Sequence, residues 1–139
     1  RYTNASLLDE SIINANNSYE FCTINPNYMC QTNHYGYATA NTRDKKGFFN
    51  AVSKIDFTTF NDETYYFDES HLAGEFVFCA KKDAKKEDDG YLIGTVADTK
   101  NNQTFLAIFD AQNIKQGTVA KIYLDQTMTM RLHGEWVEA

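Results

Sequence analysis

The sequence is short of basic residues and of pairable cysteines, and each shortage closes off a class of protein. Thirteen Lys plus Arg stand against nineteen Asp plus Glu, a formal net charge of −6. A nucleic-acid partner would need a basic patch to neutralise its phosphates, so that class is set aside. Cys22, Cys30 and Cys79 are an odd number without a CxxC pair. They support neither a zinc knuckle nor a disulfide framework, and read as free, partly buried thiols. No apolar run approaches the ~20 residues of a membrane-spanning helix, and no signal-peptide pattern stands at the start. There is no Gly-x-Ser-x-Gly elbow, no glycine-rich phosphate loop and no Cys–His pair placed by local spacing. Nucleophilic and nucleotide-binding readings therefore have no support.

What is present is aromatic and β-branched. Nine Tyr, ten Phe and one Trp accompany short runs of Val, Ile and Thr broken by Asn, Asp and Gly. Such runs suit half-buried pleated strands, so an all-β chain is expected. A domain of 139 residues buries roughly two-thirds of its unfolded surface. An aromatic segment over residues 19–28 is stopped at Asn25-Pro26, because the residue before proline is pushed out of the helical region.

Strands are expected at 33–39, 51–58, 74–80, 91–97, 104–110 and 118–124, with 63–68 pairing to 51–58 as a hairpin. Alternation in 51–58 places Ser53, Ile55 and Phe57 on one face and Lys54 and Asp56 on the other. Gly36 marks a bulge or a close backbone approach. Residues 81–89 carry four lysines and four acids and read as a solvated loop ending in the Asp89-Gly90 turn. A last short strand bears His133, followed by Gly134 and Trp136. Short strands at roughly ten-residue spacing fit a sandwich, a barrel or a run of propeller blades equally well.

Few polar groups sit where chemistry could use them. Glu20 in Tyr-Glu-Phe-Cys and Glu75 in Gly-Glu-Phe-Val have aromatic or apolar neighbours, and a buried carboxylate is costly unless paired. A metal-bound histidine is one suitable partner, since the carboxylate fixes its tautomer and raises its basicity. The plain alternative is that each glutamate faces solvent or accepts backbone N–H groups. His133 alone on a terminal strand reads equally as a half-buried structural histidine. His34 and His71 lie beside turn-like polar residues and suggest nothing more.

Several blocks together resemble a known family. They are Gly74-Glu-Phe-Val-Phe78, Glu87-Asp-Asp-Gly-Tyr-Leu92, the strand from Phe105 to Asp110-Ala111, Val119-Ala120, and Leu132-His-Gly-Glu-Trp136. In order and spacing they are similar to the C-terminal end of the carotenoid cleavage oxygenases. Upstream, Glu20-Phe-Cys-Thr-Ile-Asn-Pro-Asn-Tyr28 and Tyr35-Gly-Tyr-Ala38 resemble the segment that precedes these blocks, so the likeness covers residues 19–137.

The resemblance implies a seven-bladed β-propeller with a non-haem Fe(II) on its axis, held by four histidines, three of them oriented by glutamates. It places the fourth histidine ligand on His133 and orienting carboxylates on Glu75 and Glu20. Glu75 would orient His133, while Glu20 would orient a histidine this sequence lacks. The Glu-Asp-Asp-Gly turn carries over as structure rather than chemistry. The implied reaction uses O2 to cut a C=C bond of a carotenoid, apocarotenoid or stilbene-like substrate into carbonyl products. Two positions depart from the pattern: Phe76 stands where proline is usual, and Arg131-Leu132 precede His133 in place of a small-aromatic pair.

With Arg1 in place of methionine and one ligand in 139 residues, the expectation is a single partial domain over 1–139. It would hold the C-terminal blades, about two of seven, and be inactive alone. Any peripheral membrane contact would fall to the remainder of the protein, in the cytoplasm, a plastid or at a membrane surface. The competing expectation is a secreted, non-catalytic all-β binding module.

Overall fold

The computed structural model describes residues 13–42, 47–128 and 133–137. They form two four-stranded antiparallel sheets. The first contains β1 (Asn17–Thr23), β2 (Tyr35–Thr42), β3 (Ala51–Asp56) and β4 (Asn61–Tyr66). The second contains β5 (His71–Ala80), β6 (Gly90–Asp98), β7 (Gln103–Asp110) and β8 (Thr118–Tyr123). In each sheet every strand pairs with its neighbour in sequence, so both are simple up-and-down meanders. Among the described residues the only helical turns are 3-10, at Pro26–Tyr28 and Ile114–Gln116. The all-β expectation and the reading of two blades both hold.

The two sheets repeat in their turns though not visibly in sequence. The β3–β4 turn is closed by Asp56 Oδ1, which accepts from the N–H groups of Thr58 and Thr59 at 2.7 and 3.1 Å. The β6–β7 turn is closed the same way by Asp98 Oδ1, with Lys100 and Asn101 donating at 3.0 and 3.1 Å. Each turn ends on a left-handed residue, Phe60 at φ 55° and Asn102 at φ 50°. An aspartate that bonds its own backbone two residues on is what sets such a turn.

The core lies where the sheets meet, and it is aromatic. Tyr37 stacks on Phe78 with ring centroids 5.5 Å apart, and Phe67 on Phe76 at 6.4 Å. Phe109 meets both Phe67 and Phe76 edge-on, at 5.9 and 5.7 Å. Phe76, the residue that replaces proline, is therefore an inter-sheet core side chain, and it is fully buried. Gly94 makes room for it: a Cβ there would lie 2.5 Å from the Phe76 ring. Gly36 is the close approach of the two alternatives, since Phe57 covers it at 2.5 Å and the β2–β3 register runs without a shift.

Both faces of β3 are covered, so Lys54, on the face opposite Ser53 and Ile55, is only 8% exposed; its Nζ donates to Asp88 Oδ2 at 2.7 Å and sits 4.1 Å above the Tyr35 ring. Two expectations are corrected. The 81–89 loop is exposed or half-buried only as far as Lys86, because Glu87 and Asp88 turn inward and are buried. Residues 133–137 form no strand and take part in no ladder. Arg131 and Leu132 lie outside the described residues.

Glu87 and Asp88 act as a clasp between the sheets. The Glu87 carboxylate accepts from Tyr35 N at 2.8 Å and His34 N at 2.9 Å, with His34 Nδ1 2.9 Å from its other oxygen. Asn25 Nδ2 donates to the Glu87 carbonyl at 2.8 Å, and Asn25 Oδ1 caps the 3-10 turn through Asn27 N. Asp88 also accepts from Gln112 Nε2 at 3.1 Å. Burial works to raise the Asp88 pKa, but the hydrogen bonds from Lys54 and Gln112 and the Lys54 charge outweigh it and hold the carboxyl below the usual range.

Candidate metal centre

The strand registers slip at three places; one lies in β8 at Val119, and the other two fall beside the glutamates singled out in the sequence. In β1 the register slips between Glu20 and Thr23, so Phe21 and Cys22 together oppose Ala38. In β5 it slips between Ala73 and Phe76, so Gly74 and Glu75 together oppose Thr95. A two-against-one bulge bends the strand and re-aims side chains that alternation would send elsewhere. The two bulges are tied to each other. Thr39, the register partner of Glu20, donates its hydroxyl to the Gly74 carbonyl at 3.2 Å, and Ala73 N donates to the Phe49 carbonyl at 2.8 Å.

The β5 bulge brings Glu75 to the segment carrying His133. Glu75 Oε2 accepts from Gly134 N at 2.6 Å, and Oε1 lies 3.6 Å from His133 Nδ1. The pair spans 59 residues of sequence between Glu75 and Gly134. Glu75 is mostly covered, at 15% side-chain exposure, whereas the His133 side chain is 80% exposed. The Phe21 ring stands nearly perpendicular to the imidazole, at 82° with centroids 5.8 Å apart.

Glu20 is exposed on β1, and among the described residues no histidine pairs with it. Beside it, Cys22 is an exposed residue whose thiol is partly desolvated, and this desolvation and the Glu20 charge push its pKa up. His34 belongs to the Glu87 clasp, and His71 is held between Phe67 and Phe105 with Nε2 3.8 Å from Asp98.

Two shallow apolar cavities flank the Gly134–Trp136 segment. One, of about 170 Å³, is walled by Val77, Ile93, Leu106 and Trp136, and also touches Glu75 and His133. The other, of about 300 Å³, is walled by Ile24, Pro26, Met29, Phe78 and Trp136. A larger space of about 420 Å³, beside Asn41, Asn50 and His71, contains neither Glu75 nor His133.

The donor set fits one metal ligand, not a whole site. With Glu75 facing Nδ1, Nε2 of His133 has no hydrogen-bond partner among the described residues, and a neutral imidazole with a carboxylate on its far side is the usual form of a metal-binding histidine. Among the described residues no group of three or more His, Cys, Asp or Glu side chains could hold an ion.

The architecture is that of propeller blades, and comparison with known proteins gives the family. The family model described as retinal pigment epithelial membrane protein matches residues 4–138, and the chain belongs to that family, the carotenoid cleavage oxygenases. It is similar to isoeugenol monooxygenase of Pseudomonas nitroreducens, 30% identical over 79% of this chain and 25% of that protein. It is also similar to apocarotenoid-15,15'-oxygenase of Synechocystis, 26% identical over 86% of this chain and 24% of the relative. Resveratrol cleavage oxygenase 1 of Aspergillus fumigatus is 30% identical over 65% of this chain and 18% of its own length. Among solved structures, cobalt-substituted Synechocystis apocarotenoid oxygenase superposes with a TM-score of 0.82 at 25% identity, covering 89% of this chain and 26% of that one. The fold is thus two blades of a seven-bladed β-propeller, and the chain spans a quarter or less of the curated relatives above.

Proposed function

We propose that this chain is the C-terminal part of the propeller domain of a non-haem Fe(II) dioxygenase. Its substrate would be a carotenoid, apocarotenoid or stilbene-like molecule, cleaved at a conjugated C=C bond with O2 to give carbonyl products. The observation that carries the proposal is Glu75, which reaches from the β5 bulge to both His133 Nδ1 and Gly134 N. Cobalt in a related structure and the substrates named in its relatives support the same reading.

In this reading His133 is one of four histidine ligands and offers Nε2, while the other three come from elsewhere in the protein. Bound Fe(II) supplies the activation of O2. With its carboxylate facing Nδ1, Glu75 would close on that N–H in the loaded site and leave the Nε2 lone pair to the metal. Gly134 N anchors the other Glu75 oxygen, so the carboxylate cannot rotate away from the imidazole. Glu20 plays the corresponding part for a histidine of another blade. The apolar walls around Trp136 and Met29 receive hydrophobic substrate and keep water from it.

His133→Ala in the intact protein should abolish iron retention and cleavage together, with elemental analysis as the measurement. Near-normal iron in that variant would sink the proposal. The 139-residue chain by itself should hold no stoichiometric Fe(II), because one imidazole does not make the site; tight one-to-one binding by this segment would show that its other ligands lie within it.

A further inference from the structure

We infer that Phe21 is a positioning residue for the His133 imidazole, and that the strained bulge in β1 is the device holding it there. The inference rests on His133 being a metal ligand. Phe21 has φ 51°, in the left-handed region, where an aromatic side chain is a true outlier. Its neighbours Glu20 and Cys22 are exposed, and Phe21 is not a member of the inter-sheet core cluster. Core burial therefore does not account for the strain. Such strain persists only where surrounding structure imposes it, and it gathers at functional sites.

The ring contacts of Phe21 among the described residues are Phe49 and His133. Both are edge-to-face, at 6.1 Å and 76° and at 5.8 Å and 82°. That arrangement is directional, because the positive ring edge points at the neighbour's π face. Phe49 braces Phe21 and is itself fixed by Ala73, whose N–H bonds its carbonyl at the start of the Glu75 bulge. Glu75 sets the His133 ring from the Nδ1 side and Phe21 sets its plane from the other sheet, so both blades fix one imidazole. The remaining side-chain exposure, 80%, leaves that ring with few other restraints.

The test uses the intact protein and two readouts besides turnover: the rate of iron loss to a chelator, and the visible d–d absorption of the cobalt-substituted form. Phe21→Leu should speed iron loss by ~10–100-fold, as for groups that orient metal ligands, and shift the cobalt bands with little change in melting temperature. Phe21→Tyr keeps the ring edge and should behave as wild type. Phe21→Met, of similar volume, gives the same reading should the leucine variant not fold. His133→Ala separates the two levels. If it sheds iron while Phe21→Leu and Phe21→Met release iron at the wild-type rate with unchanged cobalt bands, the Phe21 inference is overturned and the ligand assignment stands. If His133→Ala keeps its iron, the ligand assignment fails and takes the inference with it.

Discussion

Lys54 and His133 each meet a carboxylate from another part of the chain, and there the likeness ends. Lys54 and Asp88 are 10% and 12% exposed, at 2.7 Å, inside a seam where an aromatic ring and Gln112 complete the surroundings. The His133 side chain is 80% exposed, 3.6 Å from a covered Glu75, with the Phe21 ring nearly perpendicular to it. The first pair is closed upon itself, which suits a joint between blades. Among the described residues the second leaves Nε2 of His133 without a partner, which suits a group that binds something from outside. Substitutions in the seam should therefore move stability and leave iron alone, and those around His133 should do the reverse.

The largest effect on stability is expected from Lys54→Ala. It leaves Asp88 buried without its cation, and breaking a buried pair by removing one partner costs about 3–5 kcal/mol. The melting temperature of the intact protein should fall sharply, while iron per folded molecule stays at the wild-type value. Iron loss in molecules that remain folded would break the division between seam and site. Glu75→Gln tests the other half. It keeps an acceptor for Gly134 N but loses the charge facing Nδ1, and iron affinity should drop ~10–100-fold with melting nearly unchanged. A fall in melting temperature comparable to that of Lys54→Ala would show that Glu75 is a structural carboxylate.

Gly94→Ala should be milder than Lys54→Ala. The added methyl would lie 2.5 Å from the Phe76 ring, and overpacking of this kind costs typically 1–3 kcal/mol. Chemical denaturation gives the number, and Phe76→Leu in the same background should recover part of it by yielding space. No recovery would mean that Phe76 is not the residue for which Gly94 leaves room.

Hydrophobic pattern made the second blade legible before its structure was known. The expected strands 91–97 and 104–110 fall inside β6 and β7, where Leu92, Gly94 and Val96, and Phe105, Ala107 and Phe109, are buried and the residues between them less so, the period of two that marks a strand. The start of β5 was not legible. His71, Leu72 and Ala73 join the strand by pairing with Asp98, Ala97 and Val96, and nothing local announces that ladder. Glu87 and Asp88 were misread for the same reason. A charge 34 residues from its partner looks solvated, since its burial is decided by how two sheets dock. The site was legible only through resemblance: Glu75 and Gly134 are 59 residues apart, and no spacing rule joins them. Phe21 left no signal at all, because a left-handed φ in an aromatic residue is imposed by the bulge and not chosen by the sequence.

Acidification offers the finest test of the seam. The Asp88 carboxyl is held below its usual range, so its ion pair adds stability above the unfolded value of about 3.9 and loses that contribution as pH falls through the folded value. Asp62 and Asp98 are lowered too, so a melting curve against pH sums several groups. Asp88→Asn isolates one of them. At neutral pH it should be less stable than wild type, because Lys54 loses its anion. As pH drops, wild-type Asp88 takes up its proton and comes to resemble the asparagine, so the gap between the two should close. A gap that stays constant down to the acid limit would mean that Asp88 is not charged in the seam, and Lys54 would then owe its place to the Tyr35 ring alone.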